Sequence, residues 1–409
     1  MTVCLAPEAP AVTASLCRDG EEFAALGPSW NRLHQRCSAA TAFQSHAWLS
    51  SWWRVYGKPG RLRILLVRRG GALIGAAALT LTHRPLPVLV PLGGAVSDFA
   101  DVLVDDEHRG VALPALVGAL GRLARHRVVD LREVRPAAAA QELFERWPGP
   151  RHRREDSVCL ELPALAMDGL MGRLTCSRAQ RARAKLRKLD AAGIEARPVS
   201  GPAEVPEAVD VLLRLHARQW QGRAVTPEHL SPEFARHLRS AVQGMMRTGN
   251  AAMTLYRLDG RTVAANLSLQ DRSVSGGYLY GADPELRRRK LDVATMLLRR
   301  DAELAVAEGR SVISLLRGDE PYKHHWKPER VDNQRLLLAP PGTSPLLDLY
   351  RAQLDGRRVL ARTVRRHAPV VAAWRSRIST ACRSSATPSA SPSGSPDEGT
   401  SSRRPRSSS

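Results

Sequence analysis

The spacing of apolar positions changes period several times along the chain, and each change marks an element. From Glu21 to about Arg36 the apolar residues recur at helical spacing. The next stretch, "AFQSHAWLSSWWRVYG", carries Trp48, Trp52 and Tyr56 at i, i+4 and i+8 behind Ser45, a predicted N-cap. Three aromatics on one helical face read as a stripe that packs into a core. "RLRILLVRRGGALIGAAALTLTHR" is two apolar runs around Gly70-Gly71, a predicted hairpin. A helix over 111–127 and the strand "VVDLREV" complete an α+β unit near residue 150.

The second half repeats that style without repeating residues. The strand "SVCLELP" precedes a basic amphipathic helix: six of the twelve residues from Ser177 to Lys188 are basic and none is acidic, while Ala182, Leu186 and Leu189 share a face. Gly193 ends it. Two more helices run through "EVPEAVDVLLRLHARQWQGR" and "SPEFARHLRSAVQGMMRTG". The strands "AAMTLYRLDG" and "RTVAANLSLQDRS" meet at Asp259-Gly260, a hairpin turn pair, and "SVSGGYLYGADPE" supplies a third strand. Asp292 caps a helix over 293–308, Gly309 closes it, and "SVISLL" is the strand that follows. The organisation predicted is a loose leader (1–20), a first domain (21–150), a second domain (151–345), a basic helical extension (346–383) and a disordered Ser/Pro/Arg tail (384–409).

Charge sharpens one region only. The formal net charge is +21, and 55 of the 61 basic residues are arginine, an excess that a GC-rich genome produces as readily as selection for charge. Attraction to phosphorylated ligands, nucleic acid or an anionic membrane follows, without a choice among them. Lysine is the scarcer cation, and two of the six lysines stand in "LLRGDEPYKHHWKPE", residues 315–329. The six cysteines form no C-x-x-C pair and show no metal-ligand spacing, so a reduced chain without a metal is expected. No basic n-region or spanning apolar run is present, which predicts a cytoplasmic protein with at most peripheral contact with an anionic membrane.

A polar loop fed by a strand is where function concentrates. In that loop Tyr322 is expected as an acid for a leaving group, Lys323 as an oxyanion or phosphate contact, and Glu320 or Asp319 as a base acting through water. His216, four residues before Trp220 on one helix face, is a further catalytic candidate, with a packed histidine as its alternative. Tyr280, at the end of a strand, is expected as a wall of a binding site.

The order hairpin, strand, capped helix, strand, polar loop over 251–329 resembles the second half of a GCN5-related N-acetyltransferase (GNAT) domain. More closely, "AFQSHAWLSSWWRVYG", "SDFAD", "SRAQRARAKLRKLDAAG", "LHARQWQGR", "GGYLYGADPELRRRK" and "RGDEPYKHHWKPE" occur in the order of the CelD/BcsL-type acetyltransferase group. The resemblance implies an α/β (α+β) fold of tandem GNAT-like domains in the manner of Fem-type aminoacyltransferases, a mixed sheet flanked by helices. It also implies transfer of an acyl group, with acetyl-CoA or another acyl-CoA as donor and an amine on a small molecule or sugar precursor as acceptor, in polysaccharide or cell-envelope metabolism. The family's glycine-containing turn into the donor helix reads Leu291-Asp292-Val293 here. Arg287, Arg288, Arg289 and Lys290, just before it, are expected to attract the donor phosphates instead. An aminoacyl-tRNA donor suits the altered turn and the basic surface, and a non-catalytic binder of nucleic acid or membrane is the third alternative.

Overall fold

The computed structural model describes residues 10–83, 85–219 and 227–360. It divides into two units, residues up to Tyr350 and residues from Arg351 on. In the second, residues 351–360 are helical; the rest of the predicted basic helix and the tail over 384–409 lie outside the described residues.

Thirteen strands of the first unit join in one mixed sheet. In chain order they are β1 (Val12–Cys17), β2 (Leu62–Arg69), β3 (Ala72–His83), β4 (Pro87–Pro91), β5 (Leu103–Val104), β6 (Val128–Val134) and β7 (Arg151–Pro163). Then come β8 (Glu195–Pro198), β9 (Ala251–Leu258), β10 (Arg261–Gln270), β11 (Val274–Ala282), β12 (Val312–Arg317) and β13 (Glu329–Leu338). Their order across the sheet is β1-β2-β3-β4-β6-β13-β7-β12-β11-β10-β9-β8, with β5 paired to β3. The helices are α1 (Gly20–Ala25), α2 (Gly27–Gln35), α3 (His46–Tyr56), α4 (Arg109–Leu123), α5 (Ala139–Glu145) and α6 (Met167–Gly172). They continue with α7 (Cys176–Ala191), α8 (Val205–Gln219), α9 (Pro232–Arg247), α10 (Pro284–Arg288) and α11 (Val293–Ala307).

Local chemistry explains most boundaries. Gly70-Gly71 and Asp259-Gly260 all have positive φ, as two-residue hairpin turns require. Ser45 accepts from the Trp48 N–H, and Asp292 accepts from the Thr295 N–H at 2.9 Å. Of the aromatic stripe, Trp48 is core, fully buried with its ring packed on Tyr278 and His237, while Trp52 and Tyr56 are half-buried.

Four expectations change. The leader carries β1, which pairs along β2. The single helix over 21–36 breaks at Leu26 into α1 and α2, because Pro28 has no N–H to continue the ladder. Strands β8 and β13 were not foreseen. β13 inserts between β6 and β7, pairing with β7 from Glu329↔Glu161 to Leu338↔Arg151 and with β6 from Gln334 to Leu338. Arg335 of β13 donates Nε–H to buried Asp130 of β6 at 2.7 Å, and the Tyr350 hydroxyl donates to the same carboxylate at 2.7 Å.

Candidate functional site

Two neighbouring strands come apart, and the candidate site lies in the gap. β11 and β12 pair in parallel only from Val274↔Val312 to Gly276↔Ser314. Beyond that level β11 bulges against β10, between Leu267 and Ser268, and β12 shifts register against β7 between Ser314 and Arg317. Leu316 takes a positive φ of 56° there, its N–H held by the Ser314 hydroxyl at 3.1 Å. The bulge also turns Tyr278 toward the N-terminal half, where its hydroxyl donates to the Val96 carbonyl at 2.8 Å.

Three cavities open around the gap and the first turn of α11. A small one of about 120 Å³ lies in the gap, between Tyr280, Tyr322, Lys323, Trp326 and the inner face of α11. Next to it, sharing Trp326, is a cavity of about 400 Å³ lined by Arg178, Arg181 and Lys185 of α7, Thr295, His324 and His325. On the other side, sharing Tyr280 and Ala294, a cavity of about 740 Å³ is lined by Arg218, Arg287 and the residues from Leu291 to Ala294.

The loop after β12 is braced by its own side chains. Lys323 is buried, and its ammonium donates to the Arg317 carbonyl at 2.9 Å and the Gly318 carbonyl at 3.3 Å and pairs with Glu320 at 2.8 Å. Those three contacts use all three N–H donors, so the lysine expected at an oxyanion or phosphate holds the loop instead. Glu320, expected as a base, is its ion-pair partner. Gly318 has φ 113°, and a β-carbon there would stand 2.4 Å from the Glu320 carboxylate, so only glycine admits this brace. Trp326 anchors the loop between α7 and α11.

Tyr322 is 52% exposed and lines the small cavity. Partial burial, with the Glu320 carboxylate nearby, pushes its phenol up to about 12, so it carries its proton at neutral pH. Tyr280 lines both the small and the large cavity. His216 lies elsewhere: on α8 it is buried, and its Nδ1 bonds the Tyr280 carbonyl at 2.7 Å. Gln219 of the same helix accepts from the Ala282 N–H at 2.9 Å. α8 therefore secures β11 past the end of its parallel ladder, and burial holds the His216 imidazole neutral.

The four cations before α11 divide. Arg288 and Arg289 pair with Glu285 at the surface, and Arg289 also with Asp259. Lys290 is exposed, in a left-handed conformation. Arg287 lines the large cavity. The cations that do converge, Arg178, Arg181 and Lys185, come from the basic helix α7; their i, i+3, i+7 spacing put them on one face, but nothing local showed that this face turns toward α11.

"SDFAD" divides its work in two. Asp98 accepts from Arg317 Nε at 2.6 Å, and the same guanidinium reaches Glu133 at 3.0 Å, tying the end of β12 to the N-terminal half. Asp101 is half-buried, caps α5 through the N–H groups of Ala139 and Ala140, and is pushed up to about 7 by desolvation. Asp105, Glu107 and His108 bring ligand atoms within 4.8 Å of one another, yet Arg36 already pairs with Asp105 at 2.7 Å. Among the described residues no helix is long and apolar enough to cross a membrane.

Residues 177–324 match the family model of an acetyltransferase (GNAT) domain. No curated protein matches the chain in sequence. Among solved structures it is similar to FemX, with 11% identity and a TM-score of 0.57 over 79% of this chain and 98% of that one. It is also similar to the C-terminal domain of a putative lysylphosphatidylglycerol synthetase from Agrobacterium fabrum, with 12% identity and a TM-score of 0.50 over 82% of this chain and 96% of that one. L-PGS from Bacillus licheniformis gives 10% identity and a TM-score of 0.50 over 82% and 97%. Identities this low speak to fold alone, and the FemX likeness extends it well beyond the span of the family model. The architecture is thus GNAT-like mixed α/β, a large mixed sheet flanked by helices.

Proposed function

We propose that this protein is an N-acyltransferase that moves an acyl group, acetyl from acetyl-CoA as first choice, to a primary amine on a small molecule or sugar precursor. The observation that carries the reading is the parting of β11 from β12 after Gly276 and Ser314, which leaves a slot at the height of the sheet beside the first turn of α11. The thioester group of such a donor would reach the mouth of this slot, beside Tyr322, with the donor's polyanionic end against Arg178, Arg181 and Lys185 in the neighbouring cavity. The amine lone pair attacks the thioester carbonyl and a C–N bond forms. The C–S bond then breaks, the surplus amine proton passes to solvent or a base, and the leaving thiolate takes a proton. Tyr322 is the proposed donor of that proton, a role supported by its lining the slot and keeping its phenol protonated at neutral pH. Action in the cytoplasm on envelope or polysaccharide precursors, in the manner of the CelD/BcsL-type group, and a division into domains at residue 150 belong to the same proposal and rest on the motif resemblance.

A second reading replaces acyl-CoA by aminoacyl-tRNA. Asp292 favours it, because its carboxylate already occupies the Thr295 N–H at the N-terminus of α11, where a diphosphate would otherwise bind. The deciding experiment is thermal shift of the full chain with acetyl-CoA, longer acyl-CoAs, free CoA and charged tRNA, followed by transfer assays with the stabilising donor. Stabilisation by acyl-CoA alone supports the first reading, and by charged tRNA alone the second. Retention of nucleic acid or anionic vesicles through residues 349–383, with no transfer from any donor, would replace both by surface binding.

A further inference from the structure

Asp301 has no evident structural reason to be a carboxylate. It projects from α11 and is 6% exposed. Its Oδ1 accepts from the Ser268 hydroxyl at 2.6 Å and from Asn266 Nδ2 at 3.0 Å. Among the described residues its Oδ2 accepts no hydrogen bond, and no cation pairs with the side chain. That oxygen faces Gly277: a β-carbon there would stand 3.0 Å from it. Both residues line the small cavity in the strand gap.

A buried carboxylate without a counter-ion is costly, and two hydrogen bonds to one oxygen only hold it in place. The least expensive partner is a cation brought by a ligand. The cavity, about 120 Å³, has room for roughly four groups the size of a water at about 30 Å³ each. Tyr280 and Tyr322 flank it, and aromatic rings favour a desolvated ammonium.

We propose that this cavity is a primary-ammonium site, in which Asp301 Oδ2 receives the –NH3+ of a small amino compound while Ser268 and Asn266 fix the carboxylate and Gly277 leaves the approach open. The inference rests on the acyltransferase reading only for the origin of that group, which is either the α-amino group of an aminoacyl donor or the accepting amine.

Calorimetric titration of the full chain with glycinamide, ethylamine and the neutral acetamide tests it. Both amines are expected to bind and acetamide not. Glycinamide binding tighter than ethylamine assigns the site to an aminoacyl donor, and ethylamine equal or tighter assigns it to the acceptor. Asp301→Asn should weaken amine binding at least tenfold with no loss of melting temperature. Gly277→Ala, whose β-carbon narrows the approach, should do the same with the carboxylate intact, which keeps the test decisive if Asp301→Asn does not fold. Acetamide binding as well as the amines, or both variants binding amines like the parent, overturns the proposal. Ammonium binding without acyl transfer from any donor would refute the transfer reading and leave this one standing.

Discussion

Lys185 of α7 and Asp292 at the start of α11 form an ion pair beside the basic cavity that Lys185 lines. The pair joins a lysine of the basic helix to the N-cap acid of α11, so an anion arriving at that turn meets both charges. Desolvation opposes ionisation of Asp292, but Lys185 and the Thr295 N–H outweigh it and hold the carboxyl below its usual range.

Replacing Asp292 by glycine should therefore raise affinity for free CoA several-fold, since it removes the competing carboxylate and frees the Thr295 N–H. The helix loses only a few tenths of a kcal/mol, the usual cost of glycine at an N-cap. Lys185→Ala should act oppositely. Isothermal titration of both variants checks the pair of signs, and equal affinities would mean that the donor does not reach this turn.

Tyr322→Phe should lower turnover by about tenfold or more while donor affinity and melting temperature stay near those of the parent, because only a proton donor is lost. Steady-state kinetics beside donor titration separates this from a packing effect. A rate unchanged within twofold removes Tyr322 from the mechanism.

Lys323→Met is expected to behave differently. It strands the Arg317 and Gly318 carbonyls and the Glu320 carboxylate at once, so stability should fall by on the order of 2 kcal/mol, and turnover and donor affinity should fall together. Denaturant titration gives the first quantity. Loss of turnover at full stability would return Lys323 to the oxyanion role that its scarcity suggests.

Asp301 predicts a pH signature. Burial pushes its carboxyl up to about 6, above its value in the unfolded chain. The folded state therefore keeps this proton to higher pH, unfolding releases it, and the group's contribution to stability falls as pH rises from about 4 through 6. Asp301→Asn should match the parent in stability near pH 4 and exceed it by on the order of 1–3 kcal/mol at pH 7.5. Melting curves at the two pH values decide this, and a gap independent of pH would show that the carboxylate finds a counter-ion in the folded chain.

Asp130→Ala should cost about 3–5 kcal/mol, because it leaves the Arg335 guanidinium buried without its partner. Replacing both by apolar residues of similar size should recover most of that loss. Urea unfolding of the single and double variants measures the coupling between β6 and β13.

What the residue order determined by itself was local. Ser45 and Asp292 as caps, Gly70-Gly71 and Asp259-Gly260 as turns, the stripe of Trp48, Trp52 and Tyr56, and the loop after β12 all follow from side chains that act within a few residues of their own backbone. The same locality explains the misses. "ERVDNQRLLL" does not alternate cleanly, because β13 is covered differently along its length, exposed at Glu329 and Arg330 and fully buried from Leu336 to Leu338. Its pairing with β6 and β7 joins segments far apart in the chain, Leu338 with Val129 and with Arg151, which no period encodes. Lys323 read as a ligand for charge because lysine is scarce, but whether its ammonium meets a substrate or two carbonyls depends on how the loop closes. Asp301 sat unnoticed in a helical pattern, since only the packing of α11 over Gly277 and β10 buries its carboxylate and turns one oxygen to the gap between β11 and β12. Chemistry of that kind is created by desolvation, and desolvation belongs to the assembled fold.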